Sequence, residues 1–105
     1  MANAHSAFAA LSDPTRREVF QRLQSGGRSV GEIARDLPVS RPAVSQHLRV
    51  LKDAGLVRDR RDGTRRLYEL DAQGIAELRS YLDGFWAAGL EGFKAAAESS
   101  ERRDG

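Results

Sequence analysis

The chain contains no cysteine and only two histidines in 105 residues. Disulfides, iron–sulfur clusters and thiolate metal sites are therefore excluded. A zinc or nickel site needs about three to six good ligands. His5 and His47 stand far apart in the sequence and do not supply them, so no metal and no cofactor is expected. Long apolar runs are missing too: nothing approaches the ~20 residues of a membrane span. Met1 to Ala10 lacks a basic stretch followed by a long apolar one, so no secretory leader is read there. A soluble, cytoplasmic protein with no membrane partner is the expectation. Also absent are a glycine-rich phosphate loop and a carboxylate pair with a recognisable pocket, which argues against an enzyme.

What is present points to helix. Alanine and leucine are frequent and β-branched residues are few, a bias that favours helices. A chain this short forms one domain and buries roughly 60–70% of its unfolded surface. Residues 1–97 are expected to form that domain, with 98–105 a disordered polar tail. Charge is unevenly spread. Residues 1–34 carry four basic and three acidic side chains, 35–66 carry nine and four, and 67–105 carry four and eight. The basic middle is the footprint of a nucleic-acid binder, although a solvated charged face alone has the same composition.

Punctuation divides the chain into elements. Ala4 to Leu11 is a short apolar helix, and Asp13-Pro14 starts a second as N-cap and first helical residue. That helix carries Val19, Phe20 and Leu23 and stops at Gly26-Gly27. Ser29 and Glu32 form a capping box for a third, which ends before Pro38. Ser40 caps a fourth, running to about Ala54 before Gly55. Leu56 to Arg61, Asp62-Gly63 and Arg65 to Leu70 read as a β-hairpin. Asp71 caps a long final helix through about Ala97. Two short helices joined by Pro38-Val39, followed directly by a hairpin, make a winged helix-turn-helix. The fold class is mainly α with a β-hairpin wing and five helices.

The fourth helix, over residues 40–54, has two faces. At 100° per residue, Val44, Leu48 and Leu51 share one side. Arg41, Ser45, Arg49 and Lys52 share the other, flanked by Pro42, Gln46 and Asp53. Such long donors suit a major groove, where Arg pairs with guanine and Gln with adenine while Ser and Lys reach bases or phosphates. Ser40, Arg41, Pro42, Ser45, Gln46 and Arg49 are the candidate recognition-helix contacts. Five arginines crowd the hairpin at 58, 60, 61, 65 and 66, more than protection of a sheet edge needs. Arg60, Arg61, Thr64 and Arg65, within a wing over 58–66, are the candidate contacts to phosphates or the minor groove. His47 lies on the flank of the apolar face. It reads as a structural histidine or a phosphate contact, because Ser45 and His47, two apart on a helix, point away from each other.

The final helix has more apolar surface than one small core can cover. Ile75, Leu78, Leu82, Phe85, Gly89 and Phe93 recur at spacings of three and four, widened by Trp86 and Leu90. Gly84, Gly89 and Gly92 each cost up to about 1 kcal/mol in a helix, a cost better explained by close approach of another backbone. A homodimer through the first and last helices follows, with Phe8, Leu11, Leu78, Leu82, Phe85, Trp86 and Phe93 at the interface.

Several segments resemble the ArsR/SmtB family of winged-helix repressors. They are Ala10 to Arg17, Ser40 to Leu48, Val50 to Val57, the wing Arg60 to Arg65, and Tyr68-Glu69-Leu70. The resemblance covers about residues 5–95. It implies a dimeric bacterial repressor on a double-stranded DNA operator of imperfect two-fold symmetry, released by an effector whose identity the residues leave open. The family's metal sensors carry Cys-x-Cys in the third helix, where this chain has Ser29 and Gly31. The aromatic pair Phe85-Trp86 instead resembles the metal-independent branch. The rival reading is a protein-interaction module that kept this fold without its DNA contacts, against which the basic wing and donor face argue.

Overall fold

The computed structural model describes the backbone of residues 4–104 and the side chains of 4–100. Five helices and one hairpin follow in order: α1 (Ala4–Ala10), α2 (Pro14–Gln21), α3 (Val30–Asp36), α4 (Arg41–Asp53), β1 (Val57–Asp62), β2 (Arg65–Leu70) and α5 (Ala72–Asp104). The helix starts are chemically explicit. Asp13 accepts the Thr15 N–H at 2.9 Å. Ser29 and Glu32 exchange side-chain and backbone bonds, each 3.2 Å, in a complete capping box. Ser40 accepts the Ala43 N–H at 3.3 Å.

Helix α4 ends in a Schellman motif. The Leu56 N–H bonds the Leu51 carbonyl and the Gly55 N–H bonds the Lys52 carbonyl, both at 3.0 Å. Gly55 adopts φ 81°, the left-handed conformation this motif requires. The chain then turns so that Asp71 N–H meets the Leu56 carbonyl at 2.9 Å, which seats the first turn of α5 on the end of α4.

The hairpin turns one residue later than expected. Asp62 pairs with Arg65, so Gly63-Thr64 is the two-residue loop. Gly63 alone has positive φ, at 63°, as a type II′ turn needs at its first central position. This register sets Arg58 opposite Glu69 and Asp62 opposite Arg65. A turn centred on Asp62-Gly63 would put Arg60 opposite Arg65 and Asp59 opposite Arg66, one like and one opposite pair, whereas the observed register sets a single like pair, Arg61 with Arg66, against two opposite ones. Beyond the hairpin, Arg28 and Tyr68 exchange backbone bonds of 2.9 and 2.8 Å, tying the outer strand to the segment before α3.

One core holds these parts. Val19, Leu23, Ile33, Val44, Leu48, Leu51, Leu56 and Val57 are fully enclosed. Leu78, expected at a dimer interface, belongs to this core at 8% exposure. Its position on α5 faces the subunit's own body. Leu11 also packs partly against the core. Beyond Tyr81, α5 leaves the body, and residues 82–100 are exposed throughout. The Cα radius of gyration is 18.7 Å, against about 13 Å for a compact chain of this size.

The tail is a correction. Residues 98–104 continue α5, where a disordered segment was expected. Glu98 to Arg103 contain no glycine or proline, so no stop signal intervenes before Gly105. Gly105 itself lies outside the described residues.

Candidate nucleic-acid interface

The packing of α3 against α4 decides which face of α4 is offered to solvent. Val44, Leu48 and Leu51 are fully buried, while Arg41, Pro42, Ser45, Gln46, Arg49 and Lys52 are exposed. The two-faced reading of this helix therefore matches its burial residue by residue. Ser40 is exposed at the N-cap, with its oxygen engaged by the helix start. Ser45, Gln46, Arg49 and Lys52 line one groove together with Pro42 and with Tyr68 from β2. Tyr68 was missed as a site residue. The period-two alternation of β2 was its available signal, since register puts Tyr68 on the same hairpin face as Val57 and Asp59.

A second groove runs where α3, the start of α4 and the wing converge. It brings together Arg35, Arg41, Arg65 and Arg66, with Glu32 among them. Arg35 was likewise not anticipated, because it sits at the exposed C-terminal turn of α3, outside the helix taken as the reader.

The wing is basic but largely neutralised. Arg58 and Arg60 share Glu69, at 3.0 and 3.4 Å. Arg65 reaches Glu32 and Asp62, each at 3.4 Å. Arg66 bonds Asp59, whose other oxygen takes the Lys52 Nζ at 2.6 Å. Arg61 forms no ion pair among the described residues, and Thr64 is exposed in the loop. Of the expected wing contacts, Arg61 is therefore the free cation, and Arg60 and Arg65 hold acidic partners. Those partners lie 9 and 33 residues away for Glu69 and Glu32, beyond what local spacing reveals.

Electrostatics follow the same pairs. Hydrogen bonds from Ser29, through backbone and side chain, hold the Glu32 carboxyl below its usual range. Lys52 and Arg66 do the same for Asp59. His47 is half-buried on the flank of α4, its Nδ1 enclosed without a hydrogen-bond partner.

The expected interface residues fall into two groups. Leu78 and Leu11 face inward, as described above. Phe8 and Leu82 are exposed, as are Phe85, Trp86 and Phe93, at 60%, 72% and 75%. Aromatic contacts link the two helices: Phe8 lies 6.4 Å and Phe85 5.0 Å from Tyr81, centroid to centroid. His5 Nδ1 lies 3.3 Å from the Tyr81 hydroxyl. At Gly84, Gly89 and Gly92 an added Cβ would meet nothing of this chain within 4 Å.

A capped helix pair, a donor-bearing second helix and a basic hairpin beside it define a winged helix-turn-helix DNA-binding protein. Comparison with known proteins agrees. Residues 11–60 match the model of a helix-turn-helix domain. The chain is 58% identical over 93 residues to the HTH-type transcriptional regulator Rv2034 of Mycobacterium tuberculosis, covering 89% of this chain and 87% of that protein. It is 33% identical over 81 residues to the transcriptional repressor SdpR of Bacillus subtilis, covering 77% and 90%. The homodimeric winged helix-turn-helix domain Mb0332 of Mycobacterium bovis, a possible ArsR-family regulator, superposes with a TM-score of 0.65 at 29% identity, covering 79% and 77%. The chain belongs to the ArsR/SmtB family of transcriptional regulators, and it is not an enzyme.

The third-helix positions that carry Cys-x-Cys in the family's metal sensors are Ser29 and Gly31 here. Ser29 Oγ is committed to the Glu32 N–H, and Gly31 has no donor to offer. Among the described residues no three His, Asp or Glu side chains converge.

Proposed function

We propose that the chain is a homodimeric repressor that binds an imperfect palindromic operator and carries no metal-sensing site. Residues Arg41, Gln46 and Arg49 read base edges in the major groove, with Ser40, Pro42 and Ser45 against the backbone. The wing contacts phosphates or the minor groove, led by Arg61, with Thr64 at its tip and with Arg60 and Arg65 exchanging their carboxylate partners for phosphates. The observation that carries this reading is the groove in which Ser45, Gln46 and Arg49 on the exposed face of α4 meet Tyr68 of the wing. Its Arg49 and Gln46 match the guanine and adenine patterns of the major groove.

Dimerisation supplies the second half-site. Phe8, Leu82, Phe85, Trp86 and Phe93 form an exposed apolar stripe across α1 and α5, the kind of surface that marks an interaction site. The homodimeric state of the Mycobacterium bovis relative supports a second copy as its cover. A two-fold pair places two α4 helices on successive turns of the groove, roughly 34 Å apart.

Selection of bound fragments from random duplexes tests the reading. A consensus with two-fold symmetry is expected, with Gln46→Ala relaxing preference at one position in each half. Enrichment without any consensus would contradict it. Near-stoichiometric zinc is expected to leave operator binding unchanged.

A further inference from the structure

Asp59 stands apart from the other acids of the wing. It projects from β1 on the face turned toward α4, and its side chain is only 8% exposed. Its two oxygens are divided between two cations. Oδ1 takes the Lys52 Nζ at 2.6 Å, from the last turn of α4, and Oδ2 takes the Arg66 guanidinium, from β2. The carboxylates that hold Arg58, Arg60 and Arg65 are more exposed, at 22% to 51%. Exposed pairs exchange readily for phosphates, because water already competes for them. Lys52 and Arg66 are themselves half-exposed, at 51% and 54%, but their departure would leave the enclosed Asp59 carboxylate without a cation, which holds them in place.

Lys52 and Arg66 are both placed where a free cation would meet DNA. Lys52 lines the groove with Ser45, Gln46 and Arg49. Arg66 stands directly across the hairpin from Arg61. Unpaired, each would add affinity for any duplex, since phosphate neutralisation is independent of sequence. Such affinity lowers the ratio of operator to random binding, which is the quantity that matters in a genome.

We infer that Asp59 is a specificity-determining residue: it withholds Lys52 and Arg66 from phosphates and fixes the wing to the end of the recognition helix. Binding then depends on the base-reading side chains and on the cations left free, Arg61 first among them. This rests on the proposal that α4 and the wing face DNA.

The test compares the full-length protein with Asp59→Asn, on random duplex and on selected operator, across a salt series. The variant is expected to bind random duplex several-fold more tightly. Its salt slope steepens by about one to two units per protomer, the signature of added phosphate contacts. Its operator-to-random ratio falls. A random-duplex affinity and slope equal to or below those of the wild type would overturn the inference. Should Asp59→Asn not fold, Lys52→Gln decides. Lys52 is held by Asp59, so this variant keeps the wild-type salt slope. A slope lower by about one unit per protomer would mean that Lys52 meets a phosphate, and would overturn the inference. A wild type that shows no salt-dependent duplex binding would instead sink the underlying DNA-contact reading.

Discussion

Gly74 in the first turn of α5 presses on the carbonyl of Gly55, so closely that a Cβ added to Gly74 would come within 1.7 Å of that oxygen. This contact joins the helix that carries the apolar stripe to the end of the recognition helix. Alanine is worth up to about 1 kcal/mol more than glycine in a helix. Here the obstacle is backbone, which cannot swing aside as a side chain would. Overpacking of this kind costs about 1–3 kcal/mol or more, and it also threatens the 2.9 Å bond from Asp71 to Leu56. A 1.7 Å approach to backbone lies in the upper part of that range, so Gly74→Ala is expected to destabilise by about 1–2 kcal/mol net. Thermal melting should show a drop of roughly 4–8 °C per kcal/mol. An unchanged or raised Tm would show that α5 is not seated in this way.

Wing arginines are not equivalent. Arg61 has no acidic partner among the described residues, whereas Arg65 must leave Glu32 and Asp62 to reach a phosphate. Arg61→Ala is expected to lower affinity for all sequences and reduce the salt slope by about one unit per protomer. Arg65→Ala should cost less. The check is a salt titration of both variants on one duplex, and a larger loss for Arg65→Ala would reverse the assignment.

Acid should unfold the protein through a small set of carboxylates. Glu32 and Asp59 titrate below their ordinary values of 4.5 and 3.8 in the folded state. A depressed folded pKa gives stability that is fully present above the unfolded value and lost as pH falls through the folded one. Stability is expected to hold from neutral pH down to about pH 5 and to decline below about pH 4. In Glu32→Gln the decline should be shallower, because one of these protonation steps is gone. Denaturant midpoints measured between pH 3 and 7 would show it. A wild-type profile that stays flat to pH 3 would contradict the role of these pairs.

Local chemistry was legible in the sequence and distant pairing was not. Asp13, Ser29 and Ser40 announce helix starts because each acts on N–H groups two or three residues ahead. The faces of α4 follow from period alone, and so Val44, Leu48 and Leu51 could be placed inside. Arg65 is different. It sits near a hairpin tip in the sequence, yet its Glu32 partner comes from α3, and no spacing rule links the two. Leu78 shows the limit of an apolar stripe. It shares the period of Leu82 and Phe85, but the body of the subunit ends near Tyr81, which puts Leu78 inside and the later residues outside. The turn slipped because Asp-Gly and Gly-Thr both satisfy two-residue loops. Both registers set one arginine pair across the strands, and the latter gains one more opposite-charge pair, a small preference.

Dimerisation through α5 is the claim on which the operator geometry depends. Sedimentation equilibrium of the wild type and of Leu82→Glu, each paired with operator binding, tests it most directly. At tens of micromolar the wild type should run at twice the 11.6 kDa of one chain. Leu82→Glu should run as monomer or aggregate and lose operator binding. A wild type that sediments as monomer at that concentration and still binds its operator tightly would contradict the dimeric account.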